Sequence, residues 1–324
     1  MNRSRRTFLR NSLVTGASLY ALPAWLTSCA PPTKEEKAEE QTSLSSAEMF
    51  FTISLAQWSL HRTIRAGKLD NLDFAVKTKT DFGISAVEYV NQFFKDKGKD
   101  MVYLGEMKKR AEDNGVASLL IMVDREGNLG DADAAKRMQT VENHYQWVEA
   151  AKFLGCHSIR VNAAGEGTAE EVGKNATEGL HALSTFAQDY GINVIVENHG
   201  SYSSDGSWLS KVIADVALDN CGTLPDFGNF CVEKGDDGCA NMYDRYQGVE
   251  ELMPFAKAVS AKSHDFDAEG NEIHSDYMKI MQTVKDAGYR GFVGIEYEGK
   301  ELPEDEGIKA TKVLLEKVGA ALSA

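Results

Sequence analysis

The chain predicts an α/β fold, a single (β/α)8 TIM barrel preceded by a signal peptide and a disordered tether. Three observations lead there. From Phe50 onward, short apolar runs alternate with helical patterns of ~10–20 residues, the mark of repeated βα units on a parallel sheet. Eight such units fill ~270 residues, the size of a closed barrel. A glycine follows most of the helical patterns, where a left-handed C-terminal residue suits the cap. An open doubly wound sheet is the alternative, but no Gly-x-Gly-x-x-Gly follows the first strand.

The units run in strict alternation. The first strand is expected over 50–55, continuing into a segment with Trp58 and His61, and its helix over 69–82, closed by Gly83. The second strand, 86–90, holds Glu88, and its helix covers 101–114 before Gly115. The third, 117–123, ends at Asp124 and feeds a long helix over 133–154, stopped by Gly155. The fourth, 158–161, ends at Asn162, with a helix over 169–190. The fifth follows Gly191 and runs without transition into Glu197-Asn198-His199, with a helix over 207–218. The sixth is 222–227 with a helix over 243–259, and the seventh is 259–263 with a helix over 275–287. The eighth, 291–297, precedes a last helix over 304–321.

The first 28 residues read as an export leader. Ser4-Arg5-Arg6-Thr7-Phe8-Leu9-Arg10 is a twin-arginine pattern, and the apolar stretch after it is too short and broken to span a membrane as a mature helix. Leu26-Thr27-Ser28-Cys29 resembles a lipobox, which would place a lipid on Cys29 and anchor the protein to a membrane outside the cytoplasm. A plain signal peptide with an incidental cysteine is the blander reading. Residues 29–48, rich in Pro, Lys, Glu, Ser and Thr, read as a disordered tether, and 49–324 as the barrel. Losing Arg3, Arg5, Arg6 and Arg10 with the leader would take the formal charge from −14 to about −18, a poor footprint for nucleic acid. Of the remaining cysteines, Cys156, Cys221, Cys231 and Cys239, export permits a Cys231–Cys239 loop, and the spacing is not that of a zinc site.

In a barrel the chemistry stands at the C-terminal strand ends. Four successive strands end in a ligand-capable residue: Glu197, Asp226, His264 and Glu296, each about one βα unit from the next. Neighbouring strands lie ~4.8 Å apart, so four such side chains can converge on one cation. Any one of these acids alone would more simply be a strand-end polar group or a helix cap. Together they form an oxygen-rich set that favours Mn²⁺, Mg²⁺ or Co²⁺, with Zn²⁺ possible. Lys262 shares the inward face of the seventh strand if the strand is regular, as an acid or base or as the partner of a carboxylate. Arg160, Asn162, His199, His61, Trp58 and Glu88 are substrate-side candidates, each individually as readily structural.

On these residues the chain resembles the xylose isomerase-like barrel superfamily, in the broad sugar phosphate isomerase/epimerase group, over about 50–321. The resemblance implies one divalent metal held by Glu197, Asp226, His264 and Glu296. It also implies that Glu197 and Glu296 face each other across a sugar and exchange a proton with its carbon. A cation would then stabilise the enediolate. Two positions depart from the ketose 3-epimerase pattern: Asn229 stands where those enzymes carry a substrate-contacting histidine, and Ser203 where a supporting glutamate is expected. Endonuclease-type relatives need more strand-end histidines than the seven in this chain allow. Sugar phosphates are cytoplasmic, so export points to a non-phosphorylated sugar or keto-sugar. The alternatives are β-elimination of keto-glycosides and a non-catalytic carbohydrate-binding lipoprotein.

Overall fold

The computed structural model describes residues 49–236 and 238–323, so the expected leader, Cys29 and tether lie outside the described residues. The strands are β1 (Thr52–Ala56), β2 (Ala86–Val90), β3 (Ala117–Met122), β4 (Ser158–Val161), β5 (Asn193–Glu197), β6 (Cys221–Leu224), β7 (Cys231–Gly235), β8 (Gly238–Met242), β9 (Val259–Ser263) and β10 (Phe292–Tyr297). Eight of them form one parallel sheet in which chain neighbours pair and β10 returns to β1. The sheet curls until its edges meet. Lys257 N donates to Thr223 O at 3.0 Å, Ser260 N to Pro225 O at 2.9 Å and Phe227 N to Ser260 O at 3.1 Å, joining β6 to β9. Asp226 emerges at this seam, bridged to Ser260.

The helices are α1 (His61–Arg65), α2 (Phe74–Phe82), α3 (Met101–Asp113), α4 (Ala134–Leu154), α5 (Ala169–Gln188), α6 (Gly206–Val216), α7 (Arg245–Leu252), α8 (Tyr277–Asp286) and α9 (Glu304–Ser323). Their starts follow from the sequence. Asp100, Asp133, Asp205, Asp244 and Asp276 each accept a first-turn backbone N–H, and Thr168 with Glu171 makes a reciprocal capping box. Gly83 and Gly155 close α2 and α4 in the left-handed conformation. None of the helices among the described residues is long and apolar enough to cross a membrane.

Strand alternation divides the side chains. Ile53, Leu55, Val87, Tyr89, Ile159, Val161, Val194 and Val196 belong to the large core shared with the helices. Ala56, Val90, Leu120, Met122, Ile195 and Leu224 form a separate small cluster on the other face, the barrel interior. Polar side chains share this interior, with Ser54 and Glu88 among them.

Several elements differ from expectation. The sixth strand stops at Leu224 because Pro225 has no N–H for the ladder. The helix expected over 243–259 ends at Leu252 and passes into a 3-10 turn, Met253–Phe255, that carries Pro254. The helix expected from 69 begins with a 3-10 turn, Asn71–Asp73, and becomes α-helical at Phe74. The β7–β8 hairpin and the short α1 had no expected counterpart. The hairpin's strands are mostly exposed and carry no apolar alternation to read; Cys231 and Cys239 join them in a disulfide.

Candidate active site

Three carboxylates meet at the C-terminal end of the barrel. Glu197 is the last residue of β5, Asp226 follows β6 by two residues, and Glu296 lies near the end of β10. One oxygen from each lies within 4.8 Å of the others, and none of the three residues is more than 3% exposed. Buried carboxylates are costly unless paired and hydrogen-bonded. The local chain provides for them. Asp226 Oδ1 accepts the backbone N–H groups of Gly228 (2.8 Å) and Asn229 (2.9 Å), since the chain turns sharply after the strand. Ser260 Oγ lies 2.8 Å from Asp226 Oδ2 and 3.2 Å from Glu296 Oε2 and can give its single proton to one of them at a time. Asn229 Nδ2 donates to Glu197 Oε1 at 2.8 Å. Asn198 ties the two loops together, donating to the carbonyls of Asp226 and Asn229 and accepting from Asp226 N.

Two buried cations complete the cluster. The parallel register sets Lys262 beside Glu296. Its Nζ donates to Glu296 Oε1 at 2.8 Å and to Glu298 Oε1 at 3.3 Å, and lies 3.9 Å from Asp226 Oδ2. Arg160 Nη1 donates to Asp124 Oδ1 at 2.7 Å, and its Nε stands 2.7 Å from Glu197 Oε2. That second contact is a charge contact off the hydrogen-bond line, so neither Glu197 Oε2 nor Arg160 Nε has an aligned partner.

The ionisation follows from this packing. Burial pulls the Lys262 ammonium down, but Glu296, Asp226 and Glu298 outweigh it and hold it well above the ordinary lysine value. Burial pushes the Glu296 and Asp226 carboxyls up, in each case against the pull of Lys262. Asp124 goes the other way. Burial opposes its charge, but Arg160 and Asn162 more than compensate and hold it below the ordinary range. Deeper in the barrel, Glu88 has no such partner, and burial pushes it up to about 7.

The remaining expected residues divide. A cavity of about 350 Å³ opens beside the carboxylates, with Trp58, Asn162, His199, Arg160, Glu296 and Glu298 among its lining. Asn162 donates to Asp124 at 2.8 Å. His61 is not part of that lining. Its ring stacks on Trp58 with centroids 4.9 Å apart, and its Nδ1 meets the Trp58 carbonyl at 2.6 Å. Asn229 is spent on Glu197 and on the turn after Asp226. Glu88 receives Ser54 Oγ at 2.6 Å inside the barrel.

The structure does not bring His264 to the carboxylate cluster. β9 ends at Ser263, so the alternation that would have turned residue 264 inward has already stopped. The His264 backbone N–H goes to Glu272 at 3.3 Å, and its ring meets His274 with centroids 5.8 Å apart. Lys262 takes the inward position instead. Asp124, Ser260, Glu298 and Asn198 were not singled out from the sequence. Period-two spacing from Lys262 and Glu296 was the available signal for Ser260 and Glu298.

An eight-stranded parallel barrel with its buried charges at the C-terminal strand ends is an α/β barrel of the enzyme-bearing kind. The chain belongs to the xylose isomerase-like TIM barrel family, which matches residues 78–317. Among solved structures it is similar to the IOLI protein with a bound zinc atom, at 15% identity and TM-score 0.65, covering 83% of this chain and 98% of that one. It is also similar to apo 3-keto-D-glucoside 4-epimerase YcjR from E. coli, at 15% identity and TM-score 0.59, covering 83% and 100%. A xylose isomerase-like protein from Mycobacterium smegmatis in complex with magnesium matches at 15% identity and TM-score 0.60, covering 84% and 98%. No curated protein matches the chain.

Two of these relatives hold zinc or magnesium, and the three-carboxylate cluster taken alone is consistent with a divalent ion. The complete set of residues does not fit one. The fourth inward side chain is an ammonium, already in contact with two of the three carboxylates. An ammonium has no lone pair to offer a metal.

Proposed function

We propose that this protein is a sugar isomerase or epimerase that moves a proton at a carbon next to a carbonyl, on a non-phosphorylated sugar or keto-sugar. One observation carries the reading: Glu197 and Glu296 arrive from β5 and β10 at the same buried point, and Glu296 lines the cavity that opens there. A carboxylate can take a proton from such a carbon and a second can return it. Arg160, in the cavity wall, supplies the positive charge beside which an enediolate oxygen is stabilised, and burial strengthens its effect. Trp58 gives the cavity an apolar face for a sugar ring, and His199, Asn162 and Glu298 give hydroxyl partners. Relatives of the same fold described as D-psicose 3-epimerase and L-ribulose 3-epimerase, together with the 3-keto-D-glucoside 4-epimerase, make keto-sugars the first substrates to try.

The location belongs to the same proposal. The twin-arginine pattern and the lipobox at Cys29 support a location outside the inner membrane, with a lipid tether, where phosphorylated sugars would be scarce. The Cys231–Cys239 disulfide supports an oxidising compartment. The test is proton exchange. Incubated in D₂O with free and 3-keto sugars, the protein should place deuterium on a carbon next to the carbonyl. Glu296→Gln should slow this by about 10²–10⁴-fold. Absence of exchange with every such sugar, or an unimpaired Glu296→Gln variant, overturns the reading.

A further inference from the structure

We infer that Lys262 is the resident cation of this site, a tethered ammonium that takes the place of a divalent ion and lets the carboxylate cluster assemble and work without one. The inference deepens the proposed function and rests on it only for the catalytic part.

Lys262 already brings a positive charge to two of the three carboxylates, at the place a bound cation would take. Each metal–carboxylate bond is ~2.0–2.2 Å long. An ion bound to Glu296 Oε1 and Asp226 Oδ2 would therefore lie beside Nζ, which is 2.8 Å and 3.9 Å from those same oxygens.

Lys262 cannot withdraw. It is 3% exposed. Its stem passes over Gly228 so closely that a Cβ at Gly228 would stand 2.7 Å from Lys262 Cγ. Tyr277 Oη donates to the Lys262 carbonyl at 2.8 Å and fixes the backbone beneath the side chain. The glycine after Asp226 thus leaves room for the lysine, and the same turn gives Asp226 Oδ1 its two N–H donors.

The carboxylate oxygens are already engaged. Five of the six oxygens of the three carboxylates face a hydrogen-bond donor, with Ser260 shared between two of them. The sixth, Glu197 Oε2, faces Arg160 Nε. Lys262 spends its ammonium on Glu296, Glu298 and Asp226 and acts through them, so it is a positioning residue: it holds Glu296 and Asp226 and offsets their charge. No redox step or co-reactant is required. The proton taken from carbon resides on a glutamate and is returned.

The experiment measures metal and function separately. Full-length protein purified without chelator is analysed for bound metals, and its melting temperature is followed with Mn²⁺, Mg²⁺, Co²⁺ or Zn²⁺ alone. The wild type should carry far less than one ion per chain and respond by less than about 1 °C. Lys262→His, which puts a neutral imidazole at the inward position, should gain an ion and rise by ~5 °C or more near 100-fold excess over Kd. Lys262→Arg keeps the charge and should gain none; if the histidine variant does not fold, Lys262→Gln, which removes the charge at similar size, should gain the ion, and a folded glutamine variant that binds none overturns the inference. About one tightly held ion per wild-type chain, with a fall in melting temperature on EDTA treatment, overturns the inference. D₂O exchange that survives EDTA supports it. Absence of exchange alongside a metal-free wild type refutes the proton-transfer reading and leaves the assignment of Lys262 standing.

Discussion

Glu88 gives the stability of this barrel a pH dependence that one substitution should erase. The residue sits on β2 with 1% exposure; Ser54 donates to Oε1 at 2.6 Å, and Oε2 has no partner. Burial pushes its carboxyl from 4.5 to about 7; Ser54 resists, and the nearby Glu296 and Glu197 charges add to the shift. For an acid raised in this way the folded state holds the proton more tightly than the unfolded chain. Below pH 4.5 both states are protonated and the group is neutral to stability. As the pH rises through 4.5 the unfolded chain ionises first, and the deficit grows until the folded group ionises near 7. A shift of about 2.5 pH units at ~1.4 kcal/mol each is a loss of about 3 kcal/mol by pH 8. Glu88→Gln removes that titration while keeping the shape. Urea unfolding of both proteins between pH 4.5 and 8 should therefore give curves that start together and diverge to about 3 kcal/mol, the glutamine variant being the more stable. All other titrations are shared and cancel in the difference. Parallel curves would refute the reasoning, because Glu88 would then be ionised or paired inside the fold.

Arg160→Met should cost about 3–5 kcal/mol in urea unfolding at pH 7, because it strands Asp124 and Glu197 as buried charges. Asp124 is held low in the folded state, so its contribution is full above its unfolded value and fades as the pH falls through it; the cost of the substitution should shrink in acid accordingly. A stability change under 1 kcal/mol would show that Arg160 does not carry this pairing. Gly294→Ala should cost ~1–3 kcal/mol, since its Cβ would stand 2.4 Å from Glu88 Oε1. In a Glu88→Ala background most of that cost should vanish, and a double-mutant cycle reads the coupling directly.

The alternation of strands and helices was legible because each strand face meets one environment. Ile159 and Val161 face the helices, Ser158 and Arg160 face the interior, and the period shows. Glu197, Asp226 and Glu296 were legible for the same reason, being charges at the ends of runs otherwise buried. His264 was misplaced because periodicity carries no information about where a strand stops. Two residues of register past Lys262 look identical on paper, yet the ladder to β10 ends at Ser263. The β7–β8 hairpin left no pattern because both its faces are largely exposed. The ion pairs of Arg160 and Lys262 depend on distances between strands far apart in the chain, which spacing along one strand does not encode.

The two glutamates enter the proposed proton transfer unequally, and the inequality comes from their neighbours. Glu296 is clamped: Lys262 donates to one oxygen, and Ser260 lies within reach of the other. Burial raises its carboxyl nonetheless, which favours a group that holds and returns a proton. Glu197 is clamped at Oε1 by Asn229, while Oε2 stands 2.7 Å from the Arg160 guanidinium without an aligned hydrogen bond. Oε2 is therefore the Glu197 oxygen least committed to a donor, and the one a substrate proton would reach. Within a site built from like groups, environment is what separates the two roles. Asn229, expected to touch substrate, serves that separation by occupying the other oxygen of Glu197.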